Sequence, residues 1–270
     1  MSATDRCILL LSVPRHRHGT LDEGLAVLRA AGEVVHRELT GAPGDYAARF
    51  EEDLAGADAL VLGPWSHPPC ALDGGVLDRA PRLRAVAGTF DHRYHHWLDL
   101  DDAQRRRIAL IDTSRSMTPS VAEFAVAMTL NLLRDIPDAV ARMRAGTWDS
   151  DARYTHPRPG GFVFGDLAGR RVGLAGFGTI NRCYAECVSG FGPQLTAYDP
   201  FVADAVLAAR KIERAASLVE LAARSEVFVV GIPPTPATEG IVSRAVLGAL
   251  PKGALLVLVT RMQVVDQAAL

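Results

Sequence analysis

The sequence predicts an α/β protein of two units, the second a doubly wound parallel sheet. Three observations predict it. Short continuous apolar runs alternate with segments of helical periodicity, as strands buried on both faces alternate with covering helices. The alternation occurs twice, either side of a stretch, Gly146–Gly165, rich in glycine, proline and polar residues. The second occurrence opens on a glycine turn, Gly176-Phe-Gly-Thr-Ile-Asn181, set between an apolar run and a helical segment.

In chain order, Cys7–Val13 is an apolar strand. Leu21–Ala31 has helical spacing and stops at Gly32. Glu33–His36 and Ala59–Leu62 are short strands with the helical Asp45–Ala55 between them. Gly74–Arg79 is a short helix, and Leu83–Ala87 and Ile108–Asp112 are strands. Thr118-Pro-Ser-Val-Ala-Glu123 then starts a helix: proline suits the first turn, and Ser120 with Glu123 has capping-box spacing. This helix runs to about Asp135 and is apolar almost all round, which predicts burial between domains or subunits. The second run begins at Arg171, with strands at Val172–Ala175, Leu195–Tyr198, Val227–Val230 and Leu255–Val259. Helices follow the glycine turn to about Gly190 and cover Leu218–Arg224.

Of the 270 residues, 49% are apolar and 22% charged, a globular balance, and the net charge of -2 supplies no basic field for a polyanion. Nucleic acid is therefore not an expected partner. Cys7, Cys70, Cys183 and Cys187 are too sparse for a disulfide framework, and no apolar run is long enough to span a bilayer. No secretory leader is recognisable at the N-terminus. A cytoplasmic, reduced protein without membrane or metal is expected. Cys183 and Cys187, four apart on a helix, read as two small apolar residues facing a core.

The glycine turn carries chemistry. Gly176 permits the tight turn, and Gly178, without a Cβ, lets a pyrophosphate approach the backbone. The following helix N-terminus offers free N–H groups and a partial positive charge. Asn181 stands where the fingerprint usually has a third glycine, which should push strand and helix slightly apart. Asp199 ends the next strand, where the fingerprint expects an acid. Its carboxylate would accept hydrogen bonds from both ribose hydroxyls and repel a 2′-phosphate. Neither Pro200 nor Phe201 could cradle that phosphate. The reading is a Rossmann-type unit, from about Gly169 onward, that binds NAD rather than NADP.

These residues resemble the NAD domain of D-isomer-specific 2-hydroxyacid dehydrogenases. Gly169–Ile180 and Ala197-Tyr-Asp-Pro200 carry the likeness, as do Pro233–Gly240, Leu250–Val257 and Arg261–Leu270. Ser120–Glu123 and Ala80–Arg84 also fit, so the similarity covers about Asp58 to Leu270. The resemblance implies a smaller flavodoxin-like substrate domain over residues 1–117 and an NAD domain over 118–270, with the active site in the cleft. It places Arg261 on the catalytic arginine, able to bind a substrate carboxylate and polarise the carbonyl together. Gly88, Thr89 and Phe90 fall on the carboxylate-holding loop. Thr179 and Ile180 would touch the pyrophosphate. Ile232, Pro233, Val259 and Thr260 would line the nicotinamide side. The implied reaction interconverts a 2-hydroxy acid and a 2-oxo acid, and the implied assembly is a homodimer through the Pro119 helix and the loop around Trp148.

The sequence departs from the family in several places. Leu258, Val259 and Met262 replace a polar residue, a small one and glycine, and Gly231 replaces a frequent histidine. A G-x-G-x-D-x-x-D run is broken into Gly88-Thr-Phe-Asp-His-Arg-Tyr-His-His-Trp-Leu-Asp99. His92, His95 and His96 on that loop read as solvated side chains. The family's catalytic glutamate and general-acid histidine lie beyond the arginine loop. The expectation is therefore a truncated enzyme with a C-terminally incomplete sheet, lacking its general acid and its final strands. The alternative is a catalytically inactive NAD-binding module acting through partner binding.

Overall fold

The computed structural model describes residues 6–13, 19–40, 45–63, 66–89, 97–147 and 165–270. The chain divides into two compact units, Met1–Ser116 and Met117–Leu270.

The first unit alternates strand and helix: β1 (Cys7–Ser12), α1 (Gly19–Ala31), β2 (Glu33–Glu38), α2 (Ala47–Ala55), β3 (Ala59–Leu62), α3 (Gly74–Asp78), β4 (Ala85–Gly88), α4 (Leu100–Arg105) and β5 (Ala109–Asp112). All strand pairs are parallel, in the order β2-β1-β3-β4-β5. This is the flavodoxin-like winding. Leu9, Leu11, Leu60, Leu62 and Val86 pack against Phe50 and Leu54 of α2, Val76 and Leu77 of α3, and Trp97. The two short helices are held by aspartate caps. Asp73 accepts from the Val76 N–H at 3.0 Å and Asp99 from the Asp102 N–H at 2.9 Å, satisfying donors that a helix start leaves open.

The second unit comprises α5 (Thr118–Leu133), α6 (Ile136–Arg144), β6 (Arg171–Ala175), α7 (Thr179–Val188), β7 (Gln194–Tyr198), α8 (Asp204–Ala208), β8 (Glu213–Arg214), α9 (Leu218–Ala223), β9 (Val227–Val230), α10 (Arg244–Ala249) and β10 (Leu255–Leu258). The sheet is parallel, in the order β10-β9-β6-β7-β8. One layer sets α5 against α7, with Ala122, Ala125 and Leu133 meeting Tyr184, Ala185 and Val188. The Thr129 hydroxyl donates to the Ala125 carbonyl at 2.8 Å and lies 3.1 Å from the Tyr184 hydroxyl. The other layer packs Leu218, Leu221 and Val246 on Phe228 and Val230. All four residues of β9 are buried, as a central parallel strand requires.

Two expectations are corrected, the start of α5 and the packing of the Cys183–Cys187 pair. Helix α5 starts at Thr118 rather than after a Ser120 cap, without a side-chain cap bond. Within its unit it buries one face only: Ala122, Ala125, Thr129 and Leu133 are buried, whereas Phe124, Met128 and Leu132 are exposed. Composition alone cannot say how much of an all-apolar helix its own unit covers. Cys187 is exposed and Cys183 only partly buried, so the pair does not face a core together. Helices α4, α6, α8 and α10 and strand β8 were not anticipated; four of these five elements are six residues or shorter, too short for periodicity to register. Among the described residues no helix is long and apolar enough to cross a membrane.

Candidate dinucleotide site

The site is built at the carboxyl ends of β6, β7 and β9. The chain runs outward from β6 through β7 to β8, then crosses back to lay β9 on the other side of β6. The loops after β6 and β9 therefore diverge and leave a crevice, the usual ligand position in a doubly wound sheet. Gly176 and Gly231 stand at that point. Gly176 has φ +79°, and a Cβ there would lie 3.3 Å from the Gly231 carbonyl carbon. Its N–H donates to the Tyr198 carbonyl at 2.8 Å, and the Gly231 N–H to the Ala175 carbonyl at 2.9 Å.

Gly178 is different. Its φ of -75° suits any residue, and among the described residues a Cβ would meet no atom beyond its chain neighbours within 4 Å. The open space lies against the first turn of α7, where Thr179 and Ile180 begin a helix whose N-terminus has no side-chain cap. An anion approaching that turn would meet unsatisfied N–H groups and the positive end of the helix dipole.

Asp199 follows β7 directly. Its Oδ2 accepts from the Phe177 N–H at 2.7 Å and its Oδ1 from the Phe201 N–H at 2.9 Å. The carboxylate is thus tied to the glycine turn, with lone pairs left for further donors. Arg214, on β8, straps the segment after Asp199: it donates to the Asp199 carbonyl at 2.9 Å and to the Val202 carbonyl, and pairs with Asp204. Arg182 clamps the turn from the helix side, donating to the Phe177 carbonyl at 2.8 Å with its guanidinium 5.5 Å from the Phe177 ring centre. Asn181 is buried, its Nδ2 2.7 Å from the Gly176 carbonyl oxygen. Spacing arguments missed the roles of Arg182 and Arg214. The coincidence of Asn181 and Gly231, two departures noticed separately, was the available clue to a paired accommodation.

Ile232 is buried and Pro233 starts a stapled loop after β9. The Thr238 hydroxyl donates to the Pro233 carbonyl at 2.6 Å and accepts from the Thr235 N–H at 2.8 Å. Val259, Thr260 and Arg261 follow β10 and line a groove of about 340 Å³ with Val121, Phe124 and Met128 of α5. The Arg261 guanidinium donates only to the Thr260 carbonyl, at 3.3 Å, and has no carboxylate partner among the described residues. In the first unit, Gly88 ends β4 and Thr89 follows it half-buried. Phe90, His92, His95, His96 and Trp148 lie outside the described residues. Among the described residues no group of three or more His, Cys, Asp or Glu side chains could hold a metal.

With this geometry in view, comparison with known proteins is informative. A family profile described as D-isomer specific 2-hydroxyacid dehydrogenase, NAD binding domain, matches residues 126–270, more than half of the chain. A D-3-phosphoglycerate dehydrogenase of Mycobacterium bovis is 33% identical over 217 residues, which is 79% of this chain and 38% of that protein. A glyoxylate reductase of Thermococcus kodakarensis is 32% identical over 206 residues, 74% of this chain and 58% of its own. The chain thus spans well under two thirds of the length of these relatives. The structure of apo D-mandelate dehydrogenase from Rhodotorula graminis superposes with a TM-score of 0.74 at 24% identity, covering 98% of this chain and 76% of that one. That last likeness speaks to the fold.

Proposed function

The chain belongs to the D-isomer-specific 2-hydroxyacid dehydrogenase family, with an NAD-binding domain over residues 126–270, and we propose that it serves the interconversion of a 2-hydroxy acid and a 2-oxo acid. The observation that carries the proposal is the empty space at Gly178 beside an anchored Asp199. Glycine at the uncapped start of α7 leaves that backbone open to the close approach of a ligand. The dinucleotide, when bound, supplies or accepts the hydride.

The chain's residues have these proposed parts. The turn at Gly176 and Gly178, with the N–H groups of Thr179 and Ile180, receives the pyrophosphate. Asp199 accepts from the adenosine ribose and disfavours a 2′-phosphate by charge. Ile232, Pro233, Val259 and Thr260 form apolar and backbone walls on the nicotinamide side. Arg261, without a carboxylate partner among the described residues at the carboxyl end of β10, binds the substrate carboxylate and polarises its carbonyl. The family resemblance assigns Gly88, Thr89 and Phe90 to a loop that holds the substrate carboxylate. In this reading residues 1–117 are the substrate domain and 118–270 the NAD domain. A homodimer through the exposed Phe124, Met128 and Leu132 of α5 belongs to it. So does a cytoplasmic location, supported by four unbonded cysteines.

A second reading is a catalytically inactive NAD-binding module. One observation favours it: among the described residues no Asp, Glu or His lines the groove beside Arg261. Reduction of a carbonyl needs a proton donor near the forming alkoxide, worth about 10²–10⁴-fold. The deciding experiment couples calorimetry with NADH to NADH oxidation over a panel of 2-oxo acids. Turnover establishes the enzyme. NADH binding without turnover of any acid establishes the module, and no binding of NADH or NAD removes both.

A further inference from the structure

The third glycine of the usual dinucleotide fingerprint is Asn181 here, and its side chain is almost wholly buried, 1% exposed. Its Nδ2 faces three backbone carbonyls: Gly176 at 2.7 Å, Ala175 at 3.2 Å and Val229 at 3.5 Å. Its Oδ1 has no partner among the described residues. A Cβ built on Gly231 would lie 2.7 Å from the Cγ, Nδ2 and Oδ1 of Asn181. The amide therefore sits in the volume that any side chain at position 231 would need.

The Gly176 carbonyl belongs to the same peptide plane as the Phe177 N–H, and a trans peptide points the two in opposite directions. One end of that plane is held by Asn181 and the other by Asp199 Oδ2, at 2.7 Å. Rotation of the plane would break both bonds together. At Gly176, with φ +79°, no side chain resists such a rotation.

We propose that Asn181 is a positioning residue for ribose recognition: it locks the Gly176–Phe177 peptide so that the Phe177 N–H fixes the Asp199 carboxylate, and it can do so only because position 231 lacks a side chain. The proposal rests on the NAD reading above and adds the residue that sets its selectivity. A buried amide with an orphan oxygen costs stability. The polar anchor it gives the turn accounts for its presence at a position where a small residue would pack.

The test measures NADH and NADPH affinities by calorimetry, with thermal unfolding in parallel, for the whole chain and for Asn181→Ala, Asn181→Gly, Gly231→Ala and the double variant N181G/G231A. Tyr184→Phe, which removes a buried hydroxyl elsewhere on α7, serves as the control for general destabilisation. The Asn181 variants should bind NADH about tenfold more weakly and narrow the NADH-over-NADPH ratio, since Asp199 loses a fixed anchor. Tyr184→Phe should lower the unfolding midpoint and leave the ratio alone. Gly231→Ala should copy the Asn181 phenotype, and in the double variant it should add nothing to Asn181→Gly. An unmoved ratio in the Asn181 variants, or additive effects of the two substitutions, overturns this proposal alone. Failure of the wild-type chain to bind NADH overturns the NAD reading and this proposal with it.

Discussion

Replacing Gly178 by alanine separates the needs of the fold from those of the ligand. Among the described residues the new methyl group meets no atom beyond its chain neighbours within 4 Å, and the backbone at φ -75° accepts a Cβ without strain. Alanine restricts the unfolded chain, which stabilises by about 0.4–1 kcal/mol, but Gly178 is the N-cap of α7 and alanine is the poorer cap by about 0.5–1 kcal/mol. The two effects offset, so the unfolding midpoint should move by no more than roughly 2 °C. The same methyl projects into the space assigned to the pyrophosphate. Losing one charge-assisted hydrogen bond to the turn costs about 1.5–3 kcal/mol, or roughly 10- to 200-fold in NADH affinity. The expected result is a protein that melts within roughly 2 °C of the wild-type temperature and binds NADH far more weakly, read by differential scanning fluorimetry and calorimetry. Gly176→Ala is the contrasting case. Its φ of +79° and the Gly231 carbonyl at 3.3 Å make it destabilising by about 1–2 kcal/mol before any ligand is added. A Gly178→Ala protein as destabilised as Gly176→Ala, or one that binds NADH as tightly as wild type, would refute the reasoning.

Other outcomes follow from the same geometry. Asp199→Ala leaves the Phe177 and Phe201 N–H groups without acceptors; NADH binding should fall about tenfold or more and NADPH should gain relative to it, by calorimetry. Arg261→Gln removes a guanidinium that, among the described residues, bonds only to the Thr260 carbonyl, so the fold should be unchanged while kcat/KM for a 2-oxo acid drops by about 10- to 200-fold. Asp102 is held below the usual carboxylate range by the hydrogen bond from Arg106, with a second from Arg105. Because its folded value lies below the unfolded one, its stabilisation is present above about pH 4 and lost as pH falls through the folded value. Asp102→Asn should therefore shrink the drop in unfolding temperature between pH 7 and pH 3, and an unchanged drop would contradict that role.

Much of the architecture was legible because it is written in short-range patterns. The apolar runs at Ala59–Leu62 and Val227–Val230 coincide with β3 and β9 to the residue. The spacing from Gly176 to Asp199 marked two positions that the sheet brings within one hydrogen bond of each other through Phe177. What stayed hidden has a common cause. Asn181 reaches the Val229 carbonyl across 48 residues, and Arg214 reaches the Asp199 carbonyl across 15. No periodicity links such pairs; they meet because β9 lies beside β6 and β8 beside β7.

The sequence by itself determined the α/β class, the glycine turn and the acid that follows it, since each depends on residues within a few positions or on one βαβ unit. Tertiary structure decided which face of α5 is covered, that Cys187 meets solvent, and that Gly231 makes room for Asn181. These are outcomes of strand order and close packing, in which a residue's neighbours are set by the sheet and not by its place along the chain.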